Sequence, residues 1–311
     1  MSVVVVGGGS IGLGWAIVFA RAGRTVTLVE TDAPRRAAIG AALAERLALL
    51  DEAAPGSLDV ARTTALVHVT GDLGAALDGA TYVQECVPED LALKKELVAL
   101  LDERCAPGTV LASSSSQLPA SRWAEDLPGR SRCLVVHPGN PPHVIRVVEI
   151  VPAPFTDPQV VARVRTLLEE VEMVPVVVHH EPAGFVFNRL QGAMLREAYR
   201  LVEQGVVDPL DLDRIVTQGL GRRWAVVGPF ATVHLNTRGG LRRHAQVMGP
   251  GYLRMAGDLP PLEELGDELV ATVAARIEEQ LPLERWDEAV IARDRALLAA
   301  GDAGARSQVL E

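Results

Sequence analysis

The sequence predicts an α/β protein in which a doubly wound, mostly parallel sheet is followed by an all-helical C-terminal domain. As far as about residue 180, short apolar runs alternate with helix-like segments, which is typical of strand–helix units in parallel sheets. From Gly184 onward, apolar residues recur at helical spacing. Pro182 and Gly184 break the chain at this change, so we place the domains at 1–182 and 183–311.

Composition and charge exclude several classes of protein. Of 311 residues, 48% are hydrophobic and 23% charged, and the net charge is −10, without the basic stripe typical of nucleic-acid binders. No apolar run approaches the roughly 18 residues of a membrane span, and the first run lacks the basic region of a secretory signal. The three cysteines have no CxxC spacing. We expect a soluble, cytoplasmic protein that binds neither nucleic acid nor a membrane.

The first predicted unit runs from residue 3 to residue 30. The run VVVV has no polar alternation, which suits a parallel strand covered on both faces. A helix over 10–22 and a strand over 25–29 come next, and Glu30 stands at the end of that strand. Between the valines and the helix lies the pattern G-x-G-x-x-G, formed by Gly7, Gly9 and Gly12.

This order of elements is that of a Rossmann dinucleotide site. Gly7 makes the tight turn, Gly9 lets backbone approach a pyrophosphate, and Gly12 lets the helix pack closely on the strand. Ser10 and Ile11 begin the helix, where free N–H groups and the positive end of the dipole favour phosphate. The sequence therefore predicts a dinucleotide cofactor.

Glu30 indicates which dinucleotide binds. Its carboxylate can accept hydrogen bonds from the adenosine-ribose hydroxyls and would repel a 2′-phosphate, which favours NAD over NADP. Arg35 and Arg36 weaken this preference, because nearby arginines can receive such a phosphate. NAD remains the predicted cofactor.

The same patterns place the remaining elements. Helices are expected over 33–50 and 60–64, and the further strands over 67–70, 81–85, 109–112, 133–136, 144–151 and 174–178. In the second domain, helices are expected in a long stretch from Gly184, around 212–216, and over 262–277 and 284–298.

Three polar stretches are candidates for chemistry. LASSSSQL follows a strand, VVHPGNPPHVIRVVEIV carries His137 and Glu149, and GFVFNRL carries Asn188 near the start of a helix. Each has a structural interpretation: a serine run is usually a turn, a single histidine is more often structural, and Asn188 suits a cap. Glu149 is harder to dismiss, since a carboxylate among valines and isoleucine needs a partner. The imidazole of His137 is the obvious one, and such a pair suits a general base.

These motifs resemble the L-3-hydroxyacyl-CoA dehydrogenase superfamily. The segments most similar to its lambda-crystallin and L-gulonate 3-dehydrogenase branch are ASSSSQLPAS, HPGNPPHVIRVVEIVP, GFVFNRLQ, REAYRLVEQGVVDPLDLD and GLGRRWAVVGPFATVHLN. The resemblance covers about residues 3–236. It implies an NAD-dependent dehydrogenase in which His137 is the general base and Glu149 holds it. Ser116 and Asn188 would hydrogen-bond the substrate oxygen and the imidazole or nicotinamide region.

The resemblance also implies contacts farther from the reacting carbon. Glu89 and Lys94, in PEDLALKKE, match positions that lie along the cofactor in the family. Arg223 falls where the branch also has an arginine, and its fork suits a free carboxylate. A homodimer formed through the C-terminal domain is expected as well.

The substrate is predicted to be a small free hydroxy acid, such as L-gulonate, a related sugar acid or a short 3-hydroxy acid. The region after Glu30 has arginines but no lysine, which is a poor cradle for the phosphates of coenzyme A. Asn140, His143 and Arg146 are expected beside the substrate, and at the last two of these positions the chain departs from the branch. A 3-hydroxyacyl-CoA dehydrogenase and a non-catalytic NAD-binding protein remain alternatives.

Overall fold

The chain forms two compact units, the first ending at Leu190 and the second beginning at Gln191. The computed structural model describes residues 2–259, 261 and 266–300, and the side chains of Ala256 and Asp258 are outside this description.

The first unit contains an eight-stranded sheet with the strand order β3-β2-β1-β4-β5-β6-β7-β8. Its strands are β1 Val3–Val6, β2 Val26–Val29, β3 Val67–Thr70, β4 Tyr82–Glu85, β5 Val110–Ser113, β6 Cys133–Pro138, β7 Val147–Pro152 and β8 Val174–Val177. Every neighbouring pair is parallel except β6 and β7, which are antiparallel. The predicted doubly wound, mostly parallel sheet is confirmed.

The helices of the first unit cover the sheet. They are α1 Ser10–Arg21, α2 Ala33–Ala53, α3 Val60–Ala65, α4 Leu73–Ala76, α5 Leu91–Arg104, α6 Ala120–Ala124, α7 Pro158–Glu170 and the start of α8 Phe187–Glu203. Five of them begin at an aspartate whose carboxylate accepts a backbone N–H of the first turn, namely Asp32, Asp59, Asp72, Asp90 and Asp157.

The valines of β1 explain why the first run lacks alternation. Val3 and Val5 belong to the apolar core on one face of the sheet, and Val4 and Val6 belong to the core on the other face. Both faces are covered by helices, so every position of the strand is buried. The doubly wound architecture is thus encoded in four consecutive β-branched residues.

Most predicted elements begin within one residue of their observed start in the first unit, but two of them begin three residues later. The strand predicted from residue 144 begins at Val147, because the N–H groups of Val144 and Ile145 close a turn onto the carbonyl of Pro141. The helix predicted from Gly184 begins at Phe187, because Gly184 and Phe185 have φ values of 73° and 49°, which no α-helix accepts.

The second unit is helical throughout its described residues, as predicted. It comprises the rest of α8, then α9 Pro209–Ile215, the π-helical turn Val216–Leu220, α10 Gly221–Trp224, α11 Pro229–Asn236, α12 Gly240–Asp258, α13 Asp267–Glu278 and α14 Trp286–Ala300. The helix predicted over 262–277 corresponds to α13, but positions 262–265 lie outside the described residues. Among the described helices, none has the length and apolarity to cross a membrane.

Candidate active site

The ends of four neighbouring parallel strands bring the candidate residues to one edge of the sheet. The glycine turn follows β1, Glu89 follows β4, the serine run begins at the end of β5, and His137 is near the end of β6. β1 is the point where the order of winding reverses, because β2 lies on one side of it and β4 on the other. Ligands of open α/β sheets bind at such a point.

Two of the three glycines are required for steric reasons. Gly7 has a φ of 108°, and a Cβ there would stand 2.7 Å from the carbonyl oxygen of Cys86. A Cβ on Gly12 would lie 1.9 Å from the carbonyl oxygen of Gly7, so α1 approaches the turn too closely for any side chain. A Cβ on Gly9 would meet nothing within 4 Å. The fold therefore requires glycine at positions 7 and 12, whereas at position 9 glycine leaves space open.

A cavity of about 500 Å³ lies beside this turn, with Gly7, Gly9, Glu30 and Arg35 in its lining. Oε2 of Glu30 accepts the N–H of Gly8 at 3.0 Å, and Oε1 accepts the N–H of Asp32 at 2.9 Å. These bonds fix the carboxylate at the end of β2. The glycines, the acid and the free N–H groups at the start of α1 fit the adenosine and pyrophosphate of a dinucleotide.

The other residues predicted around the cofactor have additional roles. The hydroxyl and carbonyl oxygens of Ser10 accept from the guanidinium of Arg46, so this arginine holds the first residue of α1. Ile11 packs against the core. Arg36 donates to the carbonyls of Glu30 and Thr31.

The imidazole of His137 and the carboxylate of Glu149 form a buried pair. The antiparallel register of β6 and β7 places the two residues opposite each other, and His137 Nδ1 lies 2.8 Å from Glu149 Oε2. An ionised carboxylate only accepts, so Nδ1 is the nitrogen that carries the proton. The remaining ring nitrogen, Nε2, is then the acceptor of the neutral imidazole.

The second oxygen of Glu149 binds the start of α8. Oε1 accepts the N–H groups of Val186 at 2.8 Å and Phe187 at 3.0 Å. Burial of Glu149 acts to raise its pKa, but the hydrogen bonds from His137, Phe187 and Val186 outweigh burial and hold the pKa below its usual range. The carboxylate is therefore an anion shared between the imidazole and a helix N-terminus.

Two phenylalanines enclose the imidazole. The ring centroid of His137 is 5.7 Å from that of Phe185 and 6.3 Å from that of Phe187. Phe185 is fully buried and has a φ of 49°, in the left-handed region that non-glycine residues seldom adopt. The segment before α8 therefore supplies both the donors to Glu149 and the aromatic surroundings of His137.

The four consecutive serines have four different environments. The Ser113 hydroxyl donates to Glu85, and the Ser115 hydroxyl donates to Glu89. The Ser114 oxygen accepts from the indole N–H of Trp15 and from the Gln84 side chain, and lies 3.2 Å from Cys86 Sγ. Of these four serines, only Ser116 has a hydroxyl without a hydrogen-bond partner in the described part of the chain.

Asn188 lies beside this serine. Its side-chain Nδ2 donates to the carbonyl oxygen of Ser116 at 3.3 Å, which ties the first turn of α8 to the loop after β5. The structure therefore pairs His137 with Glu149, as the sequence predicts, and it also brings Ser116 and Asn188 into contact.

Glu89 and Lys94 both form hydrogen bonds with groups of the protein itself. The carboxylate of Glu89 accepts from the serine loop. Lys94 is 1% exposed, and its ammonium donates to both carboxylate oxygens of Glu85 at 2.9 Å. The expected direct contact of the Lys94 ammonium with a cofactor does not fit this geometry, because the group is buried under the loop that follows β4.

Three of the residues expected beside the substrate differ in their surroundings. His143 is 3% exposed against Gly14 of α1, and burial, with help from Arg46 and Arg21, lowers its pKa to about 3. An uncharged, buried imidazole offers no surface to a substrate, so the expected contact is not supported. The guanidinium of Arg146 donates to the carbonyl of Glu172, whereas Asn140 is exposed just after β6.

Arg223 belongs to the second unit. It is exposed on α10, as is its neighbour Arg222.

The sequence reading missed Glu85, Phe185 and Phe187. Glu85 ends the buried strand β4, so the argument that identified Glu149, a carboxylate among apolar neighbours that needs a partner, also applied there. Phe185 and Phe187 lie within GFVFNRL, whose apolar residues are expected to pack one face of a helix. Nothing in a single sequence indicates that both aromatic rings lie against His137.

Fold and site together define an NAD-binding oxidoreductase. Residues 2–181 match the NAD binding domain of 3-hydroxyacyl-CoA dehydrogenase, and residues 184–290 match the C-terminal domain of the same enzyme. The chain belongs to the 3-hydroxyacyl-CoA dehydrogenase family and is an NAD-dependent dehydrogenase of the 3-hydroxy acid type.

Several relatives are similar over most of their length. The lambda-crystallin homolog of Homo sapiens is 40% identical, over 80% of this chain and 82% of the relative. The L-carnitine dehydrogenase of Streptomyces coelicolor is 36% identical, over 95% of this chain and 92% of the relative. The crystal structure of 5-formyl-3-hydroxy-2-methylpyridine 4-carboxylic acid 5-dehydrogenase, an NAD+-dependent dismutase, superposes with a TM-score of 0.82 at 29% identity, covering 96% of each chain.

Proposed function

We propose that this dehydrogenase oxidises the 3-hydroxyl of a free hydroxy acid, with L-gulonate, a related sugar acid or a short 3-hydroxy acid as substrate. The observation that carries the proposal is the buried pair of His137 Nδ1 and Glu149 Oε2, 2.8 Å apart. This pair leaves Nε2 of a neutral, oriented imidazole to act as a general base.

The chemistry requires two transfers from one carbon centre. The hydroxyl proton passes to Nε2 of His137 as the C–H electron pair leaves as hydride, and the carbonyl product forms. NAD supplies the hydride acceptor when bound. The imidazolium that results is stabilised by the carboxylate of Glu149, which the start of α8 keeps ionised.

Ser116 and Asn188 are assigned to the substrate oxygen. The Ser116 hydroxyl is the one in its serine run that is not already bonded within the described chain. A neutral donor stabilises the negative charge that develops on the carbonyl oxygen during reduction. The amide of Asn188 is held next to it through the Ser116 carbonyl.

A concentration of arginine in the second unit supports an acidic substrate. From residue 214 to residue 257 the chain has seven arginines and neither aspartate nor glutamate, although the whole protein has a net charge of −10. Six of these side chains are exposed and have no carboxylate partner in the described chain, namely Arg222, Arg223, Arg238, Arg242, Arg243 and Arg254. We assign the carboxylate clamp to Arg223. Two of the relatives also have names that denote dehydrogenases of free acids.

The proposal is tested by following NAD reduction over a panel of 3-hydroxy acids, sugar acids and their CoA thioesters. We expect kcat/KM to be highest for a free acid. Arg223→Gln should raise KM for that acid, while the matched control Arg222→Gln leaves KM unchanged. Equal efficiency on a thioester and its free acid would remove the argument for the clamp and favour a 3-hydroxyacyl-CoA dehydrogenase.

The general base is tested separately with His137→Ala. We expect turnover to fall by about two to four orders of magnitude, the range for loss of general-base catalysis, with NADH binding unchanged. Near-normal turnover in this variant would refute the assignment. A wild-type protein that binds NADH but oxidises no member of the panel would favour the non-catalytic alternative.

We also propose a cytoplasmic homodimer that assembles through the second unit. Large apolar side chains are exposed there, among them Phe230, Leu235, Leu253, Met255 and Trp286. All three cysteines are free, and two of them are buried, as in proteins of reducing compartments. Light scattering during gel filtration measures the assembly, and a monomer at micromolar concentration would contradict it.

A further inference from the structure

Gln84 is the buried centre of a hydrogen-bond network that reaches the serine run 113–116. The residue belongs to strand β4 and is 0% exposed. Its side-chain Nε2 donates to the hydroxyl oxygen of Ser114 at 2.8 Å and to the carbonyl oxygen of Val136 at 3.4 Å. One amide therefore joins the residue after β5 to a residue of β6.

These two bonds begin where the backbone pairing of β5 with β6 ends. The last pair in that register is Ser113 with Val135. Ser114 and Val136 are the next residue on each strand, and both are bonded by Gln84. A side chain of the neighbouring strand thus holds β5 and β6 together beyond their last backbone pair.

Both bonded positions are next to residues of the proposed chemistry. Val136 directly precedes His137, which is assigned as the general base. Ser114 lies two positions before Ser116, whose hydroxyl is assigned to the substrate oxygen. The amide of Gln84 therefore connects the segment that carries the base to the segment that carries the hydroxyl donor.

The partners of the amide determine its orientation. A backbone carbonyl only accepts hydrogen bonds, so the atom of Gln84 that faces Val136 is Nε2. Its other atom, Oε1, accepts the hydroxyl of Tyr82 at 2.5 Å. Burial raises the pKa of Tyr82, so the phenol keeps its proton and remains a donor. Tyr82 thus holds the donor end of the amide toward the two segments.

The same network includes α1, the helix that begins at the glycine turn. The hydroxyl oxygen of Ser114 also accepts the indole N–H of Trp15 at 3.1 Å. Both acceptor positions of this oxygen are then used, so its proton is directed to Cys86 Sγ, 3.2 Å away. The ring of Trp15 stacks on Phe19, whose ring centroid is 5.6 Å from that of Tyr82. These contacts link α1 to the serine run.

We propose that Gln84 is a positioning residue, which fixes the spacing between the imidazole of His137 and the hydroxyl of Ser116. This inference rests on the proposed function of those two residues. The base and the hydroxyl donor must meet the same substrate oxygen, and a displacement of about 1 Å can cost about 100-fold in rate. Gln84 is fully buried, so it acts through the residues that it holds.

The test compares Gln84→Met, Tyr82→Phe and the double variant that carries both substitutions. Methionine fills a similar space without the amide donors. In Gln84→Met the hydroxyl of Tyr82 stays buried without its partner, which lowers stability. In the double variant both groups are gone, and replacing both partners of a hydrogen bond by apolar groups is nearly neutral. The double variant therefore separates positioning from stability.

Thr109→Val is the matched control. The hydroxyl of this buried residue donates to the carbonyl oxygen of Ala80 at 2.7 Å, at the start of β5 and so at the opposite end of the strand from Ser114. Four quantities are measured on the full-length proteins: kcat on the best substrate of the wild type, the Kd of NADH by fluorescence, the melting temperature, and amide hydrogen exchange at 114–116.

We expect Gln84→Met to lower kcat by about tenfold to 100-fold, with the Kd of NADH unchanged. The double variant should regain most of the melting temperature but keep the low kcat. Tyr82→Phe should lose less activity, because the amide remains but is no longer oriented. Thr109→Val should lower the melting temperature with kcat unchanged. Exchange at 114–116 should accelerate in Gln84→Met and in the double variant only.

Three results would overturn the proposal. If kcat recovers together with the melting temperature in the double variant, Gln84 only stabilises the fold. If the Kd of NADH rises in parallel with the loss of kcat, the network serves the cofactor site instead. If amides 114–116 exchange at the wild-type rate in Gln84→Met, the amide does not hold the serine run. A wild type without activity on the panel refutes the proposed function, and amide exchange still tests whether Gln84 holds this segment.

Discussion

At the scale of single residues, three carboxylates organise the edge of the sheet, two of them buried and the third, that of Glu89, exposed. Glu149 accepts from His137 and from the start of α8, Glu85 accepts from Lys94 and Ser113, and Glu89 accepts from the serine loop. Each carboxylate accepts hydrogen bonds from two or more groups, which compensates a carboxylate for lost hydration. These carboxylates therefore hold neighbouring segments in place.

The lowered pKa of Glu149 predicts how stability depends on pH. An ordinary glutamate has a pKa of about 4.3, so the stabilisation from the lower folded-state pKa is present above that value and is lost as pH falls through the folded pKa. The difference in unfolding free energy between wild type and Glu149→Gln should be constant from about pH 8 to pH 5 and shrink below about pH 4. Urea unfolding at a series of pH values measures it. A difference that grows on acidification would contradict the assignment.

The pair of Lys94 and Glu85 predicts a large effect on stability. Lys94→Met leaves a carboxylate buried with one partner fewer, and breaking such a pair typically costs about 3–5 kcal/mol. The double variant Glu85→Gln, Lys94→Met should be more stable than Lys94→Met alone, because no buried charge remains uncompensated. Urea midpoints compare the three proteins. A single variant that is as stable as the double would show that the ammonium does not compensate Glu85.

At the scale of elements, the glycine turn and α1 form the part of the site that sequence predicts best. Glycine at fixed spacing after a buried strand has a steric cause, and the contacts at Gly7 and Gly12 show it directly. In this turn the fold requires Gly7 and Gly12, whereas Gly9 leaves space that a ligand can occupy.

Gly12→Ala and Gly9→Ala should behave differently. The Gly12→Ala methyl group would stand 1.9 Å from the Gly7 carbonyl oxygen, so we expect unfolding at a lower temperature and loss of NADH binding. Gly9→Ala meets open space and an allowed backbone, with φ −70° and ψ −174°, so its melting temperature should match the wild type while NADH affinity falls. Calorimetry and NADH fluorescence test both variants. Normal NADH affinity in Gly9→Ala would mean that no phosphate approaches this backbone.

Other elements show where sequence reasoning ends. His137 and Glu149 were paired correctly because a buried carboxylate requires a nearby donor, and that requirement is local. The antiparallel direction of β7 was not predicted, since an apolar run has the same composition in either direction. Backbone N–H groups form the bonds from Val186 to Glu149 and from 116–118 to Glu89, which join positions 37 and 27–29 apart. Every residue except proline has such a group, so the sequence does not indicate which ones bond.

At the scale of the whole molecule, net charge conceals an uneven distribution. The sequence reading found no basic stripe in a chain of charge −10, yet residues 214–257 of the second unit contain arginine and no acid. A hydroxy acid approaching the molecule meets a repulsive total charge and a locally attractive surface. Which of the two governs encounter is measurable, because they predict opposite effects of salt.

We expect kcat/KM for an anionic hydroxy acid to fall several-fold as sodium chloride is raised at saturating NAD. Salt shortens the Debye length from about 30 Å at 0.01 M to about 8 Å at 0.15 M, which weakens local attraction by the arginines. The neutral methyl ester of the same acid is the control and should show little dependence. An increase of kcat/KM with salt would mean that the total negative charge dominates.

The contact between Glu149 and the first residues of α8 bears on any attempt to isolate the nucleotide-binding half. The two family matches meet between residues 181 and 184, which is the natural place to divide the gene. A fragment ending there would lack Val186 and Phe187, whose N–H groups bind the buried carboxylate of Glu149. Of these three donors to Glu149, only the imidazole of His137 would remain. Retaining the chain as far as Leu190, where the compact unit ends, keeps these amides in place.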